Sequence, residues 1–569
     1  MTRQKLFSGA EYSSGFYISV FLIFWLTINL IQGGLIQLAH DESYYWMFSR
    51  FPDWGYFDHP PAIAVLIKAG YTLFQNEFGV RFFIAISSTL AVYLIWKMTD
   101  KDKKDVLLFA AIAFSISMFN ASGFLAVPDI PLILFTALFF YVYKYFLQHP
   151  GIKSELLLAV TIALLLYSKY HGVLVLFFVI LSNPLLLIRV SFWRIVLFSF
   201  VLFLPHILWQ IDNDYPSLRY HLVTRSTDPY QVRYTLDYLL GQLLVTGPFI
   251  GIFVLYTAFS YKVSNQFERA LKYTMFGIFF FFFLSTFKGW VEANWTIPAF
   301  IPLIILSYNK ALYHEKLRKW ILYLTIPSVI FIAGARFLMV SDITWKSLGF
   351  KTQFHGWDQW AQEIEEIAEG RPVVFINSYQ WASKYNFYSD QGTGHSYNTS
   401  GARGNMYDFW PFEDSLQGKN IIKIHRSPLP DSDSLKTVFG EYIYYRHINN
   451  FRSYNKVDIE VLPENLEFDQ GDTIRLPIRI KNNFKQTVDF NANPDLMAKL
   501  LPRMFEEHPT PTQLKQDIIT NRLEPGASVD QEVKVIMPDF AGTYTLRIDI
   551  APGWMKPGQN SKNYTVIVK

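Results

Sequence analysis

The chain has 569 residues, 51% hydrophobic and 18% aromatic, with a mean hydropathy of +0.16 and a formal net charge of +4. That is too apolar for an ordinary soluble enzyme; the small net charge says little about partners, and no nucleic acid is expected among them. The absence of cysteine excludes disulfides, thiolate metal sites and cysteine nucleophiles, so catalysis must rest on carboxylates, histidine, lysine or hydroxyls.

A bilayer core takes about 20 apolar residues as a helix. About eleven candidate spans follow: 16–38, 80–97, 106–126, 130–147, 154–169, 171–188, 192–210, 236–260, 271–287, 295–309 and 320–340. The first follows Arg3 and Lys5, lacks a small-residue cleavage site and reads as a retained anchor. Basic residues collect in alternate loops: Lys97 to Lys104, Lys144 and Lys153, Arg189 and Arg194, Lys262 to Lys272, and Lys310 to Lys319. By the positive-inside rule these loops are cytoplasmic. The loop after the first span, the loop 211–235 and everything beyond residue 341 then lie outside, in a multi-pass protein of the cell inner (plasma) membrane.

The first outer loop reads HDESYYWMFSRFPDWGYFDHPP, His40 to Pro61. It sets the carboxylates Asp41, Glu42 and Asp58, together with His59 and many aromatic rings, beside an apolar span, where charge is costly unless it has work to do. The stretch Pro61–Phe74, broken by Lys68, is too short to cross and suits a re-entrant or interfacial helix.

Further charged groups fall on the outer side. Asp129 sits in AVPDIPLILF, Lys169 and His171 in YSKYHGVLV, and Asp212, Asp214, Arg219, His221 and Arg225 in the loop 211–235. Lys288, Glu292 and Asn294 follow in KGWVEANWTIPAF. A transporter would instead set ionisable groups near mid-membrane on broken helices. Asp212-Asn213-Asp214 has the spacing of a metal-binding pair, but carboxylates in a polar loop are usually just solvated. No metal ligand set and no cofactor is assigned, a divalent cation being the alternative.

Beyond residue 341 the pattern becomes that of a soluble chain. An acidic helix over 357–369 and strands at 371–377, 420–426 and 441–448 predict an α/β domain spanning 342–452. Alternating stretches at 472–482, 528–537 and 543–552 predict an Ig-like β-sandwich over 453–569. The plainest role for both is structural or acceptor-docking.

The phrases DESYYWMFSR, WGYFDHPPAIAVLI, PDIPLILF, PHILWQIDNDYPSLRYHL and VEANWTIPAF resemble the polytopic GT-C glycosyltransferases of the protein-mannosyltransferase and lipid A aminoarabinose-transferase superfamily, over about residues 15–340. The resemblance implies transfer of a sugar from a polyprenyl-phosphate donor to a glycolipid, lipid A, polysaccharide or protein acceptor on the outer face. It carries the catalytic aspartate of the first outer loop onto Asp41 and the second aspartate onto Asp129, with Glu42 a supporting catalytic candidate. A positioned base contributes about 10²–10⁴-fold, and the leaving lipid phosphate needs cations, for which Arg219, Arg225, Lys169 and His59 are candidates. Asp58, His171, His221, Glu292 and Asn294 complete the expected substrate contacts. His59 departs from the aminoarabinose transferases, which carry lysine before the Pro-Pro pair. Asp41 has a plainer alternative as cap of a helix starting at Glu42. A flippase of lipid-linked sugars and a non-catalytic envelope assembly protein are the competing functions.

Overall fold

The computed structural model describes residues 14–100, 105–221, 229–341, 353–390, 392–505 and 510–569. They divide into two compact units, the first ending at His355 and the second beginning at Gly356.

The first unit is helical: α1 (Ser14–Leu35), α2 (His40–Arg50), α3 (Ala62–Leu73), α4 (Glu77–Met98), α5 (Val106–Ser115), α6 (Ser117–Ser122), α7 (Asp129–Gln148), α8 (Ile152–Ser168), α9 (Gly172–Ser182), α10 (Val190–Asp212), α11 (Pro216–Arg219), α12 (Val232–Thr246), α13 (Gly251–Phe259), α14 (Gln266–Ser285), α15 (Phe300–Leu312) and α16 (Glu315–Val340). Each of the eleven apolar segments read from the sequence coincides with helix. Three of the helices start on side-chain caps: Asn76 accepts from Gly79 N–H, Asp105 from Leu108 N–H and Asn265 from Glu268 N–H.

On length and apolarity, α1, α4, α7, α10 and α16 can cross a membrane, while α3, α5 and α9 are shorter apolar helices. The pair α12 and α13, bent by 96°, makes one further span or a re-entrant loop. Length alone therefore does not yield eleven crossings, because two predicted spans are broken and others are carried by shorter helices. The segment 106–126 breaks at Ile116 between α5 and α6, and 236–260 breaks at Gly247. These breaks meet. Gly247 has φ +127°, and a Cβ there would come within 2.7 Å of Ser115 O, so a side chain at this position is excluded both by conformation and by space.

Packing ties the helices together through a few buried polar contacts. Trp25 of α1 is fully buried and donates to Ser88 of α4 at 3.0 Å. Arg194 of α10 binds Glu155 of α8 through two parallel 2.7 Å hydrogen bonds. Outward faces of α1, α10 and α16 carry exposed Ile23, Phe200 and Phe337, as lipid-facing surfaces do.

The second unit opens with α17 (Trp357–Ala368) and α18 (Tyr379–Tyr388). Its strands β1 (Val373–Ile376), β2 (Gly394–Tyr397), β3 (Ile421–His425), β4 (Asp433–Lys436) and β5 (Tyr442–Ile448) form one sheet in the order β2-β1-β3-β5-β4. Strands β1, β2 and β3 are parallel and the remainder antiparallel.

Two larger sheets follow, together with a short two-stranded sheet of β9 (Val488–Asp489) and β12 (Arg522–Leu523). One holds β6 (Val457–Val461), β8 (Thr473–Asn482) and β13 (Ser528–Ile536); the other holds β7 (Glu467–Phe468), β10 (Ala498–Phe505), β11 (Gln516–Asp517), β14 (Gly542–Pro552) and β15 (Tyr564–Val568). They enclose a shared apolar core around Ile478, Ile480, Leu500, Val533, Leu546 and Val566. Alternation along β8 puts every second side chain inward, which is why its register could be read from the sequence. The α/β and sandwich portions form a single unit by their contacts. Leu496 and Met555 enter the core of the α/β sheet, and fully buried Asp549 accepts from Ser400 at 2.7 Å while pairing with Arg503.

Candidate active site

The run that opens the first outer loop folds as α2, starting two residues earlier than the expected Glu42. Helix capping is done by Glu42, whose carboxylate accepts from Ala39 N–H at 2.8 Å. Glu42 is fully buried, and its oxygens also accept from Ala126 N–H and from Arg81 Nε, both at 2.7 Å, and pair with Arg81 Nη2. Arg81 spends its other donors on the carbonyls of Gly33, Ile36 and Gln37 at the end of α1. Glu42, expected to share in the chemistry, has its carboxylate enclosed by these donors, which join α1, α2, α4 and the segment before α7. Asp41 stands beside it in the first turn of α2, exposed.

A second buried group bears on the same segment. Arg336 of α16 donates to Asn29 Oδ1 at 2.7 Å and to Asn120 O and Oδ1 at 3.1 Å, and lies 5.0 Å from the ring of Phe124. Residues 120–126 are thus held from both sides, and they lead directly into α7. The first residue of that helix, Asp129, is buried and binds Lys169 Nζ at 2.8 Å and Asn294 Nδ2 at 3.0 Å. Three residues chosen independently from the sequence therefore form one cluster.

The first outer loop packs against the end of α10 and the loop after it. Tyr56 stacks on Phe48 with centroids 4.0 Å apart and donates to Phe48 O. Ser217 Oγ donates to Tyr56 O at 2.9 Å, and Trp209 Nε1 to Asp53 Oδ2 at 2.9 Å. His206 donates through Nδ1 to Trp54 O at 2.7 Å, so Nε2 is left as the acceptor for the Tyr170 hydroxyl at 3.2 Å. His221 donates to Asp58 O at 3.1 Å, while Asp58 itself is buried. A Cβ on Gly55 would come within 2.3 Å of the Trp209 ring. Gly55→Ala is accordingly expected to cost about 1–3 kcal/mol by overpacking, seen as a lowered melting temperature in detergent.

Between these loops and α14 lies a cavity of about 350 Å³. His59, Lys169, His171 and His221, all candidates from the sequence, line it together with Tyr170, Lys288, Trp290 and Trp295. The wall carries two lysines and three histidines, and no carboxylate. Such a wall suits an anionic group set beside aromatic faces.

The remaining candidates fall elsewhere. Arg219 is exposed and bound to Asp214 at 2.5 Å, so that ion pair occupies the second carboxylate of the Asp212–Asp214 motif. No cluster of three His, Cys, Asp or Glu side chains suited to a metal occurs among the described residues. Arg225 lies outside the described residues, and Glu292 is exposed just before the turn carrying Asn294. Sequence reasoning passed over Arg81, Arg336, Tyr170 and His206 as site-forming residues. Arginine inside an apolar run was the available signal for the first two.

Residues 58–209 match the model of the dolichyl-phosphate-mannose-protein mannosyltransferase family. The lipid A galacturonosyltransferase RgtD of Rhizobium johnstonii is 21% identical over 339 residues, covering 55% of this chain and 66% of that protein, a little under two thirds of its length. The crystal structure of ArnT from Cupriavidus metallidurans in the apo state matches with a TM-score of 0.56 at 12% identity, covering 76% of this chain and 98% of that one. The same protein bound to undecaprenyl phosphate matches with a TM-score of 0.52 at 13% identity, again over 76% of this chain and 98% of that one. The chain is thus similar to polytopic GT-C glycosyltransferases, the resemblance its sequence motifs carry, and it shares the fold of the solved structures.

Proposed function

We propose that this protein moves a sugar from a polyprenyl-phosphate donor to an acceptor at the outer face of the inner membrane. The observation that carries the reading is the cavity wall of two lysines and three histidines without a carboxylate, bordered by the Asp129–Lys169 pair. In this reading the cations take the donor phosphate, whose charge grows as the glycosidic bond breaks. Asp129 orients Lys169, and Asn294 fixes the other carboxylate oxygen. Asp41 is the base that accepts the acceptor's proton, and Glu42 positions it by anchoring the first turn of α2.

The relative that acts on lipid A and the cationic wall both favour an anionic glycolipid acceptor over a protein. A deletion strain is expected to accumulate an unused lipid-linked sugar and to lose one envelope glycan by mass analysis. Unchanged pools of both would overturn the assignment and return the chain to the flippase or assembly classes.

A further inference from the structure

The second unit carries a cationic cluster that the proposed transfer does not use. Lys423 lies in the middle of β3, pairs in register with Arg446 of β5, and is 2% exposed. Its ammonium sits 5.0 Å from the ring of Trp554, and the Arg446 guanidinium sits 4.2 Å from the same ring. Trp554 and exposed Lys556 belong to the turn that follows β14. His425, two residues along β3 and so on the same face, has a buried Nε2 with no hydrogen-bond partner among the described residues.

Buried charge is normally paired, and here it is not. No carboxylate among the described residues forms an ion pair with Lys423, Arg446 or Lys556. Burial first, and then the charges of Arg446 and Lys556, push the Lys423 ammonium down to about 7. Burial and the same lysines push His425 down to about 3. The charges that depress Lys423 and His425 are positive, so the fold holds repulsion that an incoming anion would relieve. A dianion relieves most, and a phosphate monoester carries nearly two negative charges at neutral pH.

We infer that Lys423, Arg446 and Lys556 form a binding site for a phosphate group, with the 40% exposed face of Trp554 as the platform for whatever bears it. A phosphorylated sugar and a phosphomonoester lipid headgroup share that chemistry. The site is independent of the transfer cavity, since all its residues belong to the second unit.

The test is calorimetric titration of the full-length chain in detergent with inorganic phosphate, glucose 6-phosphate and dihexanoyl phosphatidic acid. Saturable binding is expected, weakened about tenfold by Arg446→Gln and further by adding Lys556→Gln, as loss of charge-assisted hydrogen bonds implies. Both side chains reach the surface, and unchanged melting temperatures will show that the variants fold. Trp554→Phe is expected to weaken the sugar phosphate or the lipid more than inorganic phosphate. Preference for glucose 6-phosphate assigns a soluble phosphorylated glycan, and preference for the lipid assigns a headgroup. Absence of binding, or binding indifferent to all three substitutions, overturns the site.

Discussion

Asp41→Asn is expected to lower sugar transfer about 10²–10⁴-fold, roughly 3–5 kcal/mol of barrier, while leaving the amount of folded chain in the membrane unchanged. The carboxamide keeps the size and hydrogen-bonding reach of the side chain but cannot accept the proton of an acceptor hydroxyl. Stability is spared because Asp41 is exposed and because the cap of α2 belongs to Glu42. The readout is the initial rate of sugar release from a polyprenyl-phosphate donor by purified protein, set beside its melting temperature. Near-wild-type transfer would remove Asp41 from the chemistry. Asp129→Asn is the informative contrast. Its carboxylate is buried against Lys169, so neutralising it disturbs stability as well as transfer, and the two aspartates separate on the thermal measurement.

The parts of this molecule that were legible in the sequence are those written in local pattern. Apolar runs of bilayer length marked every long helix, and strict alternation marked β8. The charged boundaries gave Asp129, Lys169 and Asn294, which the fold brings together from three separate elements. What the sequence did not reveal depends on contacts between distant residues. Nothing near position 42 says that its partner is Arg81, thirty-nine residues on. Arg336 was hidden in the same way, since its partners Asn29 and Asn120 lie on other helices. The helix breaks at Ile116 and Gly247 also escaped hydropathy, because the residues on either side are apolar and only their meeting in space requires the chain to bend. In Asp212-Asn213-Asp214, whose metal-like spacing was set below solvated carboxylates, the structure pairs Asp214 with Arg219.

Glu42→Ala is expected to have the largest effect on stability of any single change in the first unit. It strands the Arg81 guanidinium, 1% exposed, without a counter-charge, and leaves the N–H groups of Ala39 and Ala126 without their acceptor. Breaking a buried ion pair from one side costs about 3–5 kcal/mol, and each unsatisfied buried N–H adds about 1–3 kcal/mol. Against the roughly 5–15 kcal/mol that holds a typical domain, this is enough to deplete the folded chain. The double change Glu42→Ala with Arg81→Met should recover part of the loss, since no buried charge remains. Recovery stops short because the carbonyls of Gly33, Ile36 and Gln37 lose their donor. Thermal melting of the three variants in detergent measures this coupling, and transfer per folded molecule separates position from chemistry. If Glu42→Ala melted like the wild type and yet transferred nothing, Glu42 would be a catalytic group; a fall in melting temperature matched by the amount of active protein identifies it as the clamp that sets Asp41 and the start of α7.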